Sequence, residues 1–454
     1  MSGPSLFMGL GSFIWIPLSL AVGRRTVFLL ANLLMLASTI WAGFSGGFYQ
    51  LLIAVSLQGI SEGISISAVS SSLSIRNKSN IQVKVLLMVI DLTFIHQRPQ
   101  AIAMVWTLVG ATNMSILSLV PQMTQNTTKW RLFYDIWIIP IAISCLVAFF
   151  FFPETYFLRP AVAFDGRILL QSATEKVQIY PDWEAAAMEK NLPDTPQSGW
   201  KLKIRELKFW GMNDGGWSAM RHCYVQILLC FVNPLVFWVM VLNSLVFAGM
   251  ISIGITYTSV LTAPPYNMPA NLISLVNLAG AVGSFMAWPV CGLLTSSIIR
   301  RLAMRNGGVR EAEFYLPAFI LPVFVTAASL ILYGFTVQYQ HHFILIYISY
   351  ALNAFGFVSA ATANTIWVTE AFPRHAAAAL TVVVGGSYSA SFGMSYAILP
   401  WIESQGRANA ELELAIMIIF VGCIGIPVAF WGKKVRQSIG GKSAGNESGA
   451  LRPQ

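Results

Sequence analysis

Eleven apolar runs, separated by shorter polar stretches, account for most of the chain. They lie at about 5–22, 27–45, 48–73, 100–122, 134–153, 226–261, 269–299, 315–338, 343–368, 376–401 and 412–431. A helix rises about 1.5 Å per residue, so runs of this length match a bilayer hydrocarbon core of about 30 Å. Because a backbone in lipid must satisfy its hydrogen bonds internally, each run is expected to be a helix rather than an isolated strand. The pattern therefore predicts an all-α polytopic membrane protein.

The basic residues between these runs predict how the helices are oriented. If the loop at Arg24 and Arg25 is cytoplasmic and the sides alternate, all but three of the 28 Lys and Arg residues fall on the cytoplasmic side. The three exceptions are Lys129, Arg131 and Arg407. Since Lys and Arg in short loops are retained in the cytoplasm, we expect an external N-terminus and a cytoplasmic C-terminus. The plasma membrane is the expected location.

The longest polar stretch divides the chain into two groups of helices. We expect an N-terminal bundle of five spans at 1–157, a cytoplasmic central loop at 158–222, a C-terminal bundle of six spans at 223–432 and a cytoplasmic tail at 433–454. An irregular insert at about 74–90 interrupts the first bundle, because it shares no polar and apolar pattern with the neighbouring runs. This segment is either the product of an error in the gene model or an amphipathic surface helix.

The composition excludes several functional classes. Hydrophobic residues make up 56% of the chain and charged residues 10%, which is typical of a membrane protein rather than of soluble domains. The net charge of +9 is therefore better explained by anionic lipids at the inner leaflet than by a nucleic acid. The five cysteines show no CxxC or Cys/His metal spacing, and the chain has no P-loop and no nucleophile elbow. We expect no cofactor, no metal site and no enzymatic activity.

Short motifs at the helix ends resemble one transporter family. A basic Gly turn follows the first run, in FIWIPLSLAVGRR (13–25), and another follows the seventh, in RLAMRNGGVREAE (301–313). Further motifs are LQGISEG (57–63), HQRPQAIAMVW (96–106), FFPETYFLRP (151–160) and LTAPPYNM (261–268). Together they resemble the major facilitator superfamily, and in detail its fungal drug:proton-antiporter-like branch. The resemblance implies a two-bundle fold of 12 helices that rock about a central cavity. About 11 of these helices are visible, and the family's first helix is the one that is missing.

The resemblance also implies a gating role for the two basic turns. The residues concerned are Gly23, Arg24 and Arg25 in the first turn, and Gly292, Arg300, Arg301, Arg305, Gly307 and Gly308 in the second. Arginines at helix ends can pair with helix C-termini and with acidic partners, and so latch the cytoplasmic side. The family's usual Asp is replaced by Leu20 in the first motif and by Ser296 in the second. The latch is therefore either weaker or built on the side of Glu311 and Glu313.

Polar residues inside the apolar runs are the candidates for the substrate or proton pathway, because polar groups in lipid are costly. They are Glu62, Asn233, Asn243, Tyr257, Asn277, Asn353, Asn364 and Tyr388. Glu62 is the one carboxylate well inside a run, where it can bind a proton or a cationic substrate or hydrogen-bond a helix backbone. For each Asn, an interhelical hydrogen bond is the alternative to a ligand contact.

These observations favour a secondary active transporter of a small organic solute, cationic or amphipathic, that works by alternating access. Its expected partners are the solute, the lipid bilayer and protons, and we expect it to act as a monomer. Proton coupling stays open, because Val55 stands where the family carries an Arg in its fourth helix. The alternative is a truncated membrane protein that does not transport.

Overall fold

A computed structural model describes residues 3–63, 98–124, 130–151, 168–171, 177–180, 216–306, 312–372 and 375–443. The insert predicted at 74–90, the glycines Gly307 and Gly308, and most of the central loop lie outside these residues. The helices of the first half are α1 (Gly3–Val22), α2 (Arg24–Gly43), α3 (Phe48–Glu62), α4 (Arg98–Met123) and α5 (Trp130–Phe151). A short antiparallel hairpin of β1 (Ile168–Gln171) and β2 (Val177–Tyr180) follows in the central loop.

The second half is built from helices joined by short turns. They are α6 (Gly216–Val232), α7 (Pro234–Thr262), α8 (Ala270–Ala287), α9 (Leu293–Arg305), α10 (Ile320–Gln338), α11 (Ile344–Ala371), α12 (Ala376–Leu380), α13 (Gly386–Gln405), α14 (Arg407–Cys423) and α15 (Gly425–Ser443). A π-helical turn at Trp288–Gly292 joins α8 to α9, and another at Thr381–Gly385 joins α12 to α13. A 3₁₀ helix, Ala312–Phe319, leads into α10.

Most of these helices can cross a membrane. Within the described residues, 10 helical segments are long and apolar enough to do so, and they correspond to ten of the eleven apolar runs. The remaining run, 48–73, is represented in the described residues by α3. The predicted all-α membrane architecture is therefore confirmed, with one short hairpin as its β structure in the described part.

The run at 226–261 is not the single helix that its hydropathy predicted. It breaks at Asn233, whose backbone is extended (φ −71°, ψ 116°), and α7 starts at Pro234. The Asn233 side chain accepts a hydrogen bond from the backbone N–H of Leu235 at 3.0 Å. Since Asn is a good N-cap and Pro favours the first position of a helix, the Asn-Pro pair separates α6 from α7.

Close packing fixes the end of α3, where Glu62 stands. A Cβ placed on Gly59 or on Gly63 would lie 2.6 Å from a backbone oxygen of α1, so only glycine fits at either position. Trp15 of α1 also donates its indole N–H to the backbone oxygen of Ile60 at 2.7 Å. The last turn of α3 is thereby held directly against α1.

The two halves of the chain meet along long helices. From the first half, α4 packs against α8 and α11, while α1 packs against α13 and α6. A hydrophobic core continues across this contact, from Trp106 and Met114 on α4 to Val358 on α11.

Candidate functional site

A small cavity lies between α4 of the first half and three parts of the second half. These are α7, α11 and the segment that runs from α12 through the π-helical turn to α13. Its lining mixes polar, aromatic and aliphatic groups: Trp106, Asn243, Phe357, Ala361, Asn364, Thr365, Leu380, Val383, Val384 and Tyr388. The cavity volume is about 10 Å³, which is room for about one water molecule. This conformation is therefore closed tightly around the polar groups. Three of the predicted pathway residues, Asn243, Asn364 and Tyr388, come together here.

Hydrogen bonds link the polar groups of the cavity in one direction. The Asn364 amide donates to Asn243 Oδ1 at 2.7 Å, and the Asn243 amide donates to Ser387 Oγ at 2.8 Å. Ser387 in turn donates to the backbone oxygen of Val384 at 2.8 Å. Asn364 Oδ1 is buried and has no hydrogen-bond partner among the described residues. The residue at which this chain of bonds begins thus keeps a buried acceptor, which a donor entering the cavity could satisfy.

Aromatic rings form the apolar walls of the cavity. Trp106 is fixed by a hydrogen bond from its indole N–H to Thr365 Oγ1 at 3.2 Å. Phe247 of α7 packs edge-on against Tyr388, with ring centroids 4.7 Å apart, and lies 5.4 Å from Phe357. Such walls suit a solute with an apolar or cationic face.

Glu62 lies near this cavity, in the last turn of α3. Its side chain is exposed, and α3 packs against α1, which in turn packs against α13, the helix that carries Tyr388. A carboxyl group in this position can carry a proton or a counter-charge close to the cavity.

A second cluster closes the space between the halves further along α4. The Asn277 amide donates to the Tyr257 hydroxyl at 3.0 Å, and the Tyr350 hydroxyl lies 3.4 Å from both Asn277 Oδ1 and Met114 Sδ. Met114 belongs to α4, whereas the other three belong to α7, α8 and α11. The predicted residues Tyr257 and Asn277 therefore form part of a contact between the halves.

Two predicted pathway residues lie away from the cavity. Asn353 is fully buried, and its amide donates to Ser329 Oγ of α10 at 3.0 Å. Asn233 caps α7, as described above. For both residues the hydrogen bond within the second half is the contact that the structure shows.

An ion pair joins the halves near the first residue of α4. Arg98 and Glu370, close to the end of α11, form a salt bridge whose side chains are 5% and 17% exposed. The partners are far apart in sequence, one in each half, so the pair forms only when the two ends lie together. Arg98 belongs to the motif HQRPQAIAMVW (96–106), but nothing in this motif predicts Glu370 as its partner.

Of the residues expected to form the gate, Arg25 contacts the C-terminal end of a helix, α5. Arg25 donates to the backbone oxygen of Phe149 at 2.8 Å, within the first half. The side chains of Arg300, Arg301 and Arg305 are exposed. Gly292 lies at the contact between halves, since an added Cβ would be 3.2 Å from Cβ of Ala103 on α4.

Glu313, which follows the second basic turn, forms a salt bridge with a partner that the sequence did not predict. Glu313 pairs with Arg436 of α15 at 2.7 Å, and Arg436 also donates to the backbone oxygen of Ala371 at 3.3 Å. These contacts tie the C-terminal helix to the ends of the helices around it.

Sequence reasoning also missed a buried carboxylate. The apolar pattern predicts Glu62 as the one carboxylate well inside a run, but Glu411 is 1% exposed and lies in α14, which starts at Arg407. The signal available in the sequence was the Gly406 turn, which starts the helix earlier than hydropathy indicates. Among the described residues, no group of three or more His, Cys, Asp or Glu is placed to hold a metal ion.

Comparisons with known proteins agree with this architecture. A family model described as the Major Facilitator Superfamily matches residues 1–397. The MFS transporter cpaT of Aspergillus oryzae is 28% identical over 231 residues, which are 48% of this chain and 45% of that protein. The efflux pump vrtL of Penicillium aethiopicum is 25% identical over 216 residues, covering 46% and 41%.

A solved structure shares the fold at lower identity. The proton:xylose symporter XylE aligns over 95% of this chain and 84% of its own, with a TM-score of 0.56 and 13% identity. The matched stretches cover between 30% and 45% of the length of the curated relatives. These relatives are transporters, which points away from a catalytic enzyme. The chain belongs to the Major Facilitator Superfamily and is an integral, multi-pass membrane protein.

Proposed function

We propose that the chain is a secondary transporter that moves a small organic solute, cationic or amphipathic, by alternating access. The observation that carries this proposal is the hydrogen-bonded set of Asn364, Asn243 and Ser387 beside Trp106, in a closed cavity between the two halves. A few convergent polar groups in an otherwise apolar cavity are typical of small-molecule sites. The efflux-pump relative supports export as the direction.

The cavity lining indicates how such a solute would be recognised. Asn364 Oδ1 would accept a hydrogen bond from an N–H or O–H of the solute, while Trp106, Phe357 and Tyr388 would contact its apolar or cationic part. A cation over a desolvated aromatic ring gains about 2 kcal/mol. Glu62, at the end of α3 beside α1, would supply a counter-charge or carry a proton.

Two contacts between the halves act as gates in this proposal. The Arg98–Glu370 pair closes one end of the cleft, and the contact of Tyr350 with Met114 closes the other. Alternating access requires that one of these contacts break while the other persists. We assign the Arg98–Glu370 end to the cytoplasm, since positively charged loops favour that side. The C-terminus is then cytoplasmic and the plasma membrane is the proposed location.

The test is solute counterflow into liposomes that contain the purified full-length protein. Loaded vesicles should accumulate labelled solute from a panel of aromatic amines and quaternary ammonium ions faster than protein-free vesicles do. The informative variant is Asn364→Ala, which removes the acceptor and breaks the bond to Asn243. We expect a roughly 5- to 13-fold lower kcat/KM, since one buried hydrogen bond contributes about 1–1.5 kcal/mol.

Asn353→Ala is the matched control, because it removes the same side chain from the same helix outside the cavity. It should lower thermal stability to a similar extent but leave the KM for the solute unchanged. Equal loss of kcat/KM in both variants would refute the cavity as the binding site. Absence of counterflow for every member of the panel, with folded protein, would favour the non-transporting alternative.

A further inference from the structure

A second polar network lies within the second half of the chain, away from the cavity. Its centre is Glu411, which is 1% exposed although α14 belongs to a membrane-spanning segment. Close approach of α10 makes this burial possible, because a Cβ on Gly334 would lie 2.9 Å from Cβ of Glu411. Ionisable groups inside a membrane are costly, and they commonly mark ion or proton pathways.

The two oxygens of this carboxyl group differ in their partners. Ser252 Oγ on α7 donates a hydrogen bond to Glu411 Oε1. Oε2 is buried and has no hydrogen-bond partner within the described part of the chain. One turn along α7, the hydroxyl of Thr256 is already engaged, since it lies 2.7 Å from the Tyr333 hydroxyl and donates to the backbone oxygen of Ser252 at 2.6 Å. Oε2 is thus the oxygen of the carboxyl group that has no hydrogen bond to any described residue.

Few charged or titratable groups face Glu411 from the helices around it. Arg407 lies one turn earlier on α14, and its Nη1 is buried without a hydrogen-bond partner in the described residues. Tyr333 faces the network from α10, and α7 contributes the hydroxyls of Ser252 and Thr256. Of these groups, Arg407 alone is a permanent cation.

The geometry fits a proton better than a metal ion. A hard metal cation takes six or more oxygen ligands, whereas the network offers one open carboxylate oxygen and hydroxyls that already donate elsewhere. A proton needs only Oε2. Glu411 lies four residues from the start of α14, about 6 Å into the helix, and is therefore close to the loop that precedes this helix.

We propose that Glu411 is a proton-binding site of this transporter and that α7 links its protonation to the solute cavity. The second part of this inference rests on the proposed transport function. Ser252 and Asn243 both belong to α7, about 13.5 Å apart along its axis. The carboxylate binds the Ser252 hydroxyl more strongly than the neutral acid does. Loss of the proton therefore draws α7 towards α14, and this movement displaces Asn243 relative to Asn364.

Infrared difference spectroscopy of the purified full-length protein, between acidic and alkaline pH, tests the site without requiring transport. The wild type should show the carbonyl band of a neutral carboxylic acid, which disappears as the pH rises. Glu411→Gln should lose this band component, and Glu411→Asp should keep a titrating band. The control is Glu413→Gln on the same helix, where the exposed Glu413 accepts a hydrogen bond from Trp401 at 2.9 Å; it should keep the band. A spectrum that is identical in the wild type and in Glu411→Gln would overturn the proposal.

Two further measurements keep the inference testable. If Glu411→Gln does not fold, Ser252→Ala keeps the carboxyl group but removes its donor, and it should shift the frequency of the titrating band; an unshifted band would overturn the proposal. In counterflow, Glu411→Gln should lose the pH dependence of solute flux that the wild type shows. A titrating band in a protein that shows no flux would refute the proposed transport function but support the proton-binding site. If the flux of Glu411→Gln still depends on pH, the proposed link between Glu411 and the cavity is refuted.

Discussion

Neutralising Glu370 should open the protein at the end where it pairs with Arg98. The two side chains are 17% and 5% exposed, so solvent screens their interaction much less than it screens a surface pair. Exposed pairs contribute up to about 1 kcal/mol, whereas contacting groups within one network couple by up to about 3 kcal/mol. We expect about 2 kcal/mol for this pair, which is roughly a 30-fold shift towards the state in which these ends are apart.

Thiol labelling measures this shift. In a background where the five free cysteines are replaced by serine, Ala103→Cys places one reporter on α4, beside Gly292 of the second half. Ala103 is 1% exposed, so a maleimide reaches this position only when the halves separate. Glu370→Gln should raise the labelling rate roughly 30-fold, since the rate follows the fraction of open protein. The exposed Glu403, changed to Gln, is the control and should leave the rate unchanged.

The charge-exchanged double variant decides whether the pair itself is responsible. Arg98→Glu combined with Glu370→Arg restores opposite charges at the same contact, and it should return the labelling rate most of the way to the wild-type value. Labelling of Glu370→Gln at the wild-type rate would refute the reasoning. A double variant that is labelled as fast as Glu370→Gln would also refute it.

Three further predictions concern the packing of the helices. Gly283→Ala should destabilise the protein by about 2–3 kcal/mol, seen as a lower thermal unfolding midpoint in detergent, because the added Cβ would overlap the backbone of Ala351; an unchanged midpoint would contradict this. Gly254→Ala, where an added Cβ meets nothing within 4 Å, should instead raise stability by up to about 1 kcal/mol, and a fall would contradict it. Asn233→Ala should cost about 1 kcal/mol through loss of the helix cap without changing solute affinity, and a changed Kd would place Asn233 in the pathway after all.

Hydropathy predicted the spans well because lipid imposes the same requirement on every helix. Each apolar run long enough to cross the bilayer had to form a helix, whatever its neighbours were. Hydropathy did not predict the break at Asn233, because the ends of α6 and α7 that meet there are both apolar. The Asn-Pro pair was the local signal, since it favours a cap followed by the first helical residue.

The polar contacts were harder to predict, because they depend on which helices become neighbours. The sequence singled out Asn243, Asn364 and Tyr388 as costly polar groups, and the structure brings all three to one cavity. Asn353 carries the same signal but faces α10, and no local pattern distinguishes it from Asn364. The salt bridge of Arg98 with Glu370 joins residues from opposite halves, so only the packed structure reveals it.

Alternating access itself is tested most directly by labelling both ends of the cleft in the same background. Met114 is 6% exposed and lies against Tyr350, about 16.5 Å along α4 from Ala103, so Met114→Cys reports on the opposite gate. With Glu370→Gln, labelling at position 103 should rise while labelling at position 114 falls, because opening one end of a rocking pair of bundles closes the other. If both rates rise together, the halves are simply loosened and the protein does not work by alternating access.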